Sequence, residues 1–378
     1  MLPMSGAHSE AVRMQSDAET LHSEATTVPE NNAVNDTTAK KKRRFIDRLY
    51  DIVKDFSRVD TNYVEPMHYN FQAMVQNINT YETYTLRGKS GQKISLAPEP
   101  TYRVGPYIGW RWIFLGYTLD LKNMSFEKQK KEFDLSLYSA QVGIDIYYRQ
   151  TGNDYKIREL DLGSGNDAVQ IKNVPFSGFE ASIKGFDLYY IFNHKRFSYP
   201  AAFNQSTTQR RSCGSPLVGI GYTKQRLNLD GQALMDVVEQ KSPSSSQLID
   251  TTFVGAKVDY TDFSVSAGYA YNYVFARNWL LAASIALDAA YKKSAGEQLK
   301  TRFSLKEFSF SNFNIDATSR FGIVWTDTKY FAGASAIFHA YNYHKSRFST
   351  NSVFGNVKIY AGFNFGLKKH HQKYGKKK

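Results

Sequence analysis

Phe263-Ser264-Val265-Ser266-Ala267-Gly268-Tyr269-Ala270-Tyr271-Asn272-Tyr273-Val274-Phe275 decides the fold. Its odd positions are aromatic or aliphatic and its even positions are small or uncharged, so the period is two and the backbone is extended. At ~3.3 Å per residue and a tilt near ~40°, the stretch rises roughly 33 Å along a barrel axis, enough to cross a bilayer. Soluble strands average about five or six residues, and their second face normally carries Lys, Glu or Arg toward water. Here that face is small and uncharged, which suits an enclosed, narrow lumen.

Working outward, the same alternation predicts strands at Asn278–Tyr291, Phe313–Trp325, Tyr330–Asn342 and Val353–Leu367. Upstream it predicts Tyr69–Ile78, Tyr81–Lys89, Tyr107–Leu121, Glu132–Ser139, Gln141–Gln150, Ile183–Asn193 and Ser215–Lys224. The expected fold is all-β, a transmembrane antiparallel up-and-down barrel of about 12 strands, with 10 to 14 open because strand ends are soft. Counted back from the C-terminus, the connections Tyr343–Ser352, Thr326–Lys329, Lys292–Asn312 and Ala276–Arg277 alternate long and short, with Phe303–Phe310 placed in a loop. That rhythm is expected of a barrel and puts the C-terminus on the periplasmic side.

Composition agrees. The 378 residues include 26 Tyr and 26 Phe, and the mean hydropathy of −0.47 argues against a bundle of spanning helices. The best apolar run, Trp279 to Leu287, is ended by Asp288, well short of the ~18 residues a helix needs. The net charge of +13 is mostly terminal: Lys40 to Arg44 carries +5 and the tail from Lys368 carries +6, against −5 for residues 1–39. The remaining +7 is spread over residues 45–367, too dilute for a phosphate-tracking face, so no nucleic-acid partner is expected. A single cysteine, Cys213, excludes an intrachain disulfide and any CxxC metal or redox motif.

Residues 1–44 are polar and expected to be a disordered tether, residues 45–58 a short amphipathic helix, residues 59–367 the barrel and residues 368–378 a basic tail. Met1 to Ala7 reads as the end of a signal peptide whose hydrophobic part is missing, consistent with an outer-membrane destination. The connections Thr151–Ala181, Phe197–Gly214 and Leu229–Asp250 are the long loops in which function would sit.

Several blocks carry a resemblance: Val59-Asp60-Thr61-Asn62-Tyr63-Val64-Glu65-Pro66, Gly105 through Trp112, Ser136-Leu137-Tyr138-Ser139, Tyr147-Tyr148-Arg149, and Tyr190 through Phe203. The chain resembles the domain of unknown function 4421 family of Gram-negative bacteria. The resemblance implies an outer-membrane-barrel-like fold and carries no activity or site residues. Barrels commonly end on an aromatic residue, whereas Phe365 and Leu367 are followed here by eleven residues, which leaves the assembly machinery as an expected but unspecified partner beside membrane lipid.

One pair has catalytic potential. His344 and Ser346 share a face if the strand is extended, so imidazole and hydroxyl could form an activated nucleophile, with Asn351 or Glu307 orienting the histidine. The neighbouring Lys345 and Arg347 read instead as an ordinary basic rim loop. Arg196, Tyr199, Gln209, Arg210 and Arg211 form the most distinctive polar group, able to set anion preference in a pore or to build a structural ion-pair network. His370-His371 lacks metal-site spacing, no phosphate-loop motif is present, and neither metal nor cofactor is expected. Three functions compete: a non-enzymatic channel or structural and surface-interaction barrel, a lipid-modifying barrel hydrolase, and a soluble carrier with its faces reversed around an apolar ligand.

Overall fold

The computed structural model describes residues 59–110, 113–116, 119–120, 131–150, 155–162, 170–243, 249–254, 256–294, 312–344 and 349–368, with only the backbone at 110–120, 170 and 294. The chain divides into two compact units, Met1–Ile52 and Val53–Lys378, and the described residues belong to the second. The expected tether and amphipathic helix lie outside them, as do the basic tail beyond Lys368, Ser346, Glu307 and residues 303–310.

The strands in chain order are β1 (Val64–Pro66), β2 (Tyr69–Arg87), β3 (Lys93–Pro98), β4 (Thr101–Trp110), β5 (Ile113–Gly116), β6 (Leu119–Asp120), β7 (Lys131–Tyr138), β8 (Val142–Gln150), β9 (Tyr155–Asp161), β10 (Gln170–Ile171), β11 (Val174–Pro175), β12 (Phe179–Ile191), β13 (Thr207–Gln209), β14 (Cys213–Leu229), β15 (Lys257–Ala276), β16 (Trp279–Ser294), β17 (Phe313–Thr326), β18 (Tyr330–His344) and β19 (Ser349–Leu367). All but β1 and β13 form one antiparallel sheet that closes into a barrel, with β19 pairing back onto β2. Closure leaves no long edge of unpaired N–H and C=O groups, which a strand in hydrocarbon could not tolerate.

Register shows which segments are one strand. β3 and β4 follow each other along β2, from Arg87↔Lys93 to Phe71↔Trp110. β5 and β6 continue a single register on β4, Tyr107↔Gly116 and Val104↔Leu119. β9 extends β8, and β10 and β11 lead into β12. The wall is then β2, β3/β4, β5/β6, β7, β8/β9, β10–β12, β14, β15, β16, β17, β18 and β19, twelve strands among the described residues. β3 also pairs directly with β9, so the β5/β6 and β7 hairpin reaches only partway up and the wall narrows toward that rim.

The expected count of twelve therefore stands, but by two offsetting differences. Tyr69–Ile78 and Tyr81–Lys89 are halves of one 19-residue strand, and the strand drawn over Tyr107–Leu121 is interrupted after Trp110. The strand β3/β4 takes the vacated place; its apolar run Ile94-Ser95-Leu96-Ala97 is buried on both faces and lacks alternation. The connection expected to be long at Tyr343–Ser352 is only residues 345–348, because β18 and β19 run further than the alternation shows.

The faces sort as a bilayer demands. Along β15 the side chains of Phe263, Val265, Tyr269, Tyr271, Tyr273 and Phe275 are exposed, Val265 at 65%, while Ala270 and Asn272 are buried. Ile285, Leu287, Ile315, Phe321, Ile323, Ile359 and Phe363 continue the apolar exterior. The buried set includes Asp145, Arg149, Gln225, Asp262, Lys292, Asp316, Arg320 and His339. Apolar outside and ionic inside is the reverse of a soluble ligand carrier, and it makes this a transmembrane barrel. No helix among the described residues is long and apolar enough to cross a membrane.

The two rims are closed differently. At the long-loop rim a dry cluster forms from Tyr84, Leu86, Ile94, Leu96, Tyr155, Phe179, Leu227 and Phe253 with Leu234 and Val238. The last two belong to a helix, Gly231–Lys241, whose first turn is capped by the Asp230 carboxylate. Asp250 ties this cap to the β2–β3 turn by accepting from the Ser90 amide at 2.9 Å and hydroxyl at 2.7 Å. Partial burial opposes ionisation of Asp250, but these bonds and those from Thr252 hold its carboxyl below the ordinary range. At the opposite rim the turns are short, except that residues 192–212 fold inward.

Two outcomes follow from the polarity of the faces. Ile285→Arg, in the middle of the exterior of β16, is expected to cost about 2–4 kcal/mol of folding stability, measured by denaturant titration in lipid vesicles. Lys292→Met leaves Asp316 uncompensated in the interior and should cost about 3–5 kcal/mol, whereas replacing Lys292, Asp262 and Asp316 together by apolar residues should recover much of that loss in the same titration.

Candidate functional site

Charged residues placed on the inward parity of the strands find their partners inside the barrel, on a neighbouring strand or across the lumen. Lys292 of β16, fully buried, lies 2.7 Å from Asp316 and 3.7 Å from Asp262. It also donates to the Asn342 carbonyl at 2.6 Å and faces the rings of Tyr260 and Tyr341 at 5.1 and 5.5 Å. Arg320 of β17 pairs with Asp145 of β8 and sits 4.8 Å from the Tyr189 ring. Arg149 meets Asp134 at 2.9 Å and the Phe354 ring at 4.8 Å. Each cation is thus held by an anion and an aromatic face, the combination that offsets desolvation of a buried charge.

The Lys292 and Arg149 pairs join adjacent strands, whereas Arg320–Asp145 links β17 to β8 across the barrel. β8 and β18 are six strands apart in a ring of twelve, yet the hydroxyls of Tyr147 and Tyr341 meet at 2.5 Å. Gln225 of β14 donates to Ser352 of β19 at 2.9 Å, five strands away. A circular barrel of twelve strands at ~4.8 Å spacing and ~40° tilt has a diameter of roughly 24 Å. Two tyrosines end to end fall short of that, so the wall is pressed flat along this direction. His339 is stacked 5.1 Å from Phe354 and 3.3 Å from the Thr318 hydroxyl, enclosed in the same filling.

The infolded segment 192–212 closes the short-turn rim. Its chain turns at Asn193, whose carbonyl accepts from the amides of Arg196 and Phe197. Pro200 in the first turn then starts the helix Tyr199–Phe203. Tyr199, Ala201, Ala202 and Phe203 pack against Tyr189, Leu217, Ala270, Leu280, Ala282 and Val324 inside the wall. Gln209 is the knot that holds this plug. Its carbonyl accepts from the Ser198 amide and the Asn272 side chain, each at 3.0 Å. Its amide lies within bonding reach of the carbonyls of Arg196 at 2.6 Å and Arg211 at 2.9 Å.

The polar group expected in this loop therefore splits. Tyr199 and Gln209 are inside, as packing and bonding elements. Arg196, Arg210 and Arg211 lie at the mouth and clamp the segment that precedes β2. Arg196 is 3.5 Å from Asp60, Arg210 pairs with Glu65, and Arg196 and Arg211 lie over the Tyr63 ring at 5.1 and 5.8 Å. β1 and β13 pair beside them, Val64↔Gln209 to Pro66↔Thr207. Among the described residues these arginines take part in ion pairs and ring contacts, and Arg210 also borders a cavity of about 420 Å³ with Gln209 and Arg277.

At the other rim, His344 ends β18 and Asn351 lies on β19 opposite Asn342, with His344 opposite Ser349. Both are on the outward parity and line an open groove of about 590 Å³ with Arg87 and Lys93. Asn351 donates to Asn342 at 2.7 Å, so its side chain is not turned to His344. Ser346 and Glu307 lie outside the described residues. Among the described residues no group of three His, Cys, Asp or Glu side chains could hold a metal ion.

Sequence reasoning singled out none of Arg149, Asp145, Lys292, Asp316 and Arg320. Their signal was present: a charge at the inward parity of a spanning strand, repeated four residues on at Asp288 and Lys292 and at Asp316 and Arg320.

Solved structures share the general pattern at low similarity. Neisserial surface protein A matches with 9% identity and a TM-score of 0.22 over 76% of this chain and 96% of its own. The beta domain of the Bordetella autotransporter BrkA matches with 9% identity and a TM-score of 0.31 over 78% and 100%. The translocator domain of the autotransporter NalP from Neisseria meningitidis matches with 11% identity and a TM-score of 0.27 over 87% and 98%. Such scores carry no argument about role. No curated protein matches the chain. A family model, described as a domain of unknown function, DUF4421, matches residues 58–365. That span reaches from before the first wall strand into the last, and the chain belongs to the DUF4421 family.

Proposed function

We propose that this protein is a non-enzymatic, non-conducting barrel of the Gram-negative outer membrane that acts through its surfaces and not through its lumen. The observation that carries the reading is the contact of Tyr147 with Tyr341 between opposite walls, flanked by the Arg320–Asp145 pair and closed at the rims by the plug and the cap. A small solute would have to break buried ion pairs to pass. The even strand number, with both described ends of the barrel at the short-turn rim, supports insertion with that rim toward the periplasm.

A lipid-hydrolysing role for His344 with Ser346 is the second reading, favoured only by the rim groove that His344 and Asn351 share. It requires the serine hydroxyl to reach the imidazole, with Asn351 released from Asn342. Ser346→Ala would then abolish acyl release from detergent-solubilised lipid, and unchanged release would end this reading.

The closed-lumen reading predicts no unitary current in a planar bilayer, and resolved single-channel steps from the unmodified protein would refute it. Gln209→Ala should cost about 1–3 kcal/mol locally by leaving buried carbonyls and amides without partners. The expected result is faster proteolysis within residues 193–212 while the barrel keeps its heat-modifiable migration.

A further inference from the structure

The exterior changes character abruptly at one register row. Phe186↔Tyr222↔Phe263↔Tyr291↔Phe313 are successive cross-strand partners on β12, β14, β15, β16 and β17. Phe186 and Tyr222 stack at 6.2 Å, Tyr222 meets Phe263 at 5.2 Å and Tyr291 meets Phe313 at 5.5 Å. This is an aromatic belt of the kind that marks the boundary between hydrocarbon and headgroups. The next outward row toward the long-loop rim is Tyr148↔Lys184↔Lys224↔Thr261↔Lys293.

Lys184 and Lys224 are direct cross-strand neighbours on one face, an arrangement that places Cβ atoms ~5 Å apart and is destabilising for like charges unless an anion lies between them. Neither has an ion-pair partner among the described residues. The row beyond adds Arg226 and the one after it Lys257, around an open groove of about 580 Å³ that also presents Tyr148, Gln150, Ser182 and Asn228. Two carboxylates are nearby. Asp259 is bound to Arg226 at 2.9 Å, and Glu180 lines the groove, leaving an excess of positive charge.

We infer that this groove binds a phosphate-bearing lipid headgroup, with Lys184 and Lys224 gripping the phosphate, Arg226 and Lys257 beside it, and the acyl chains lying along the Phe186, Tyr222 and Phe263 face. The inference rests on the membrane-barrel reading. Charge complementarity names the ligand, because two adjacent ammonium groups match the near-dianion of a phosphate monoester. Position names its source, because the groove opens directly above the hydrocarbon-facing aromatic row. Its amide and hydroxyl groups add donors for a polar headgroup.

The test uses the full chain inserted in phosphatidylcholine nanodiscs doped with phosphatidic acid, or with diacylglycerol as the phosphate-free counterpart, and retained lipid is counted by native mass spectrometry. Insertion is scored first by heat-modifiable migration and protease protection; its failure would refute the membrane reading independently of the lipid result. With insertion intact, phosphatidic acid should be enriched over diacylglycerol, and Lys184→Gln with Lys224→Gln should reduce that enrichment by about tenfold. Lys93→Gln, on a lysine already bound to Glu159 at 2.7 Å, should leave it unchanged. Equal retention by the unmodified protein and the double variant would overturn the inference, as would equal retention of diacylglycerol. Displacement of the lipid by millimolar inorganic phosphate alone would also overturn it, since the site would then serve a free anion.

Discussion

The constraint on which everything else depends is that hydrocarbon offers no partner to a backbone amide or to a charge. It forces the sheet to close, which the pairing of β19 with β2 achieves over almost the full length of both strands. It also forces ionic side chains inward. Once inside, they lack bulk water, so each must be answered by a counter-charge or a ring, and Lys292, Arg320 and Arg149 are all answered in this way. Ion pairing inside the barrel is thus a consequence of the exterior being apolar.

How far the fold is legible in the sequence follows from the same cause. Where one face meets lipid and the other a polar interior, alternation is complete, and β16 to β19 are read correctly to within four residues, while β15 begins six residues before the expected strand. Where a strand is buried on both faces the alternation disappears, as in Ile94-Ser95-Leu96-Ala97 beneath the cap; Tyr155–Asp161 alternates only as far as Arg158, where a register shift against β3 breaks the pattern before Leu160. Asn77 and Asn79 in the middle of β2 imitate a turn. Their side chains bond instead to the Arg103 carbonyl and to each other, so one long strand reads as two short ones.

The site residues divide similarly. A parity rule could have found the luminal ions, because Asp145, Asp288, Asp316 and Arg320 fall on the inward face, whereas the outward charges Lys184, Lys224 and Lys257 lie toward one rim. No local rule could have found Gln209 as the anchor of the plug, since its partners Ser198, Asn272 and Tyr63 come from three separate parts of the chain. The arginines around it were conspicuous in the sequence because they are exposed and charged, and they prove to bind Asp60, Glu65 and Tyr63 at the mouth.

Barrel size gives the last step. Eight strands are just filled by their own side chains, and larger barrels tend toward a channel unless something occupies the centre. Twelve strands here would leave a passage if the wall were circular and the loops external. Instead the wall is flattened until Tyr147 and Tyr341 touch, the segment 192–212 turns inward, and β3 pairs directly with β9 to close the upper wall. Three independent departures from a simple cylinder all remove lumen volume. A barrel that spends backbone and buried charge on closing its centre presents its remaining chemistry on the outside, where the aromatic belt gives way to unpaired lysines.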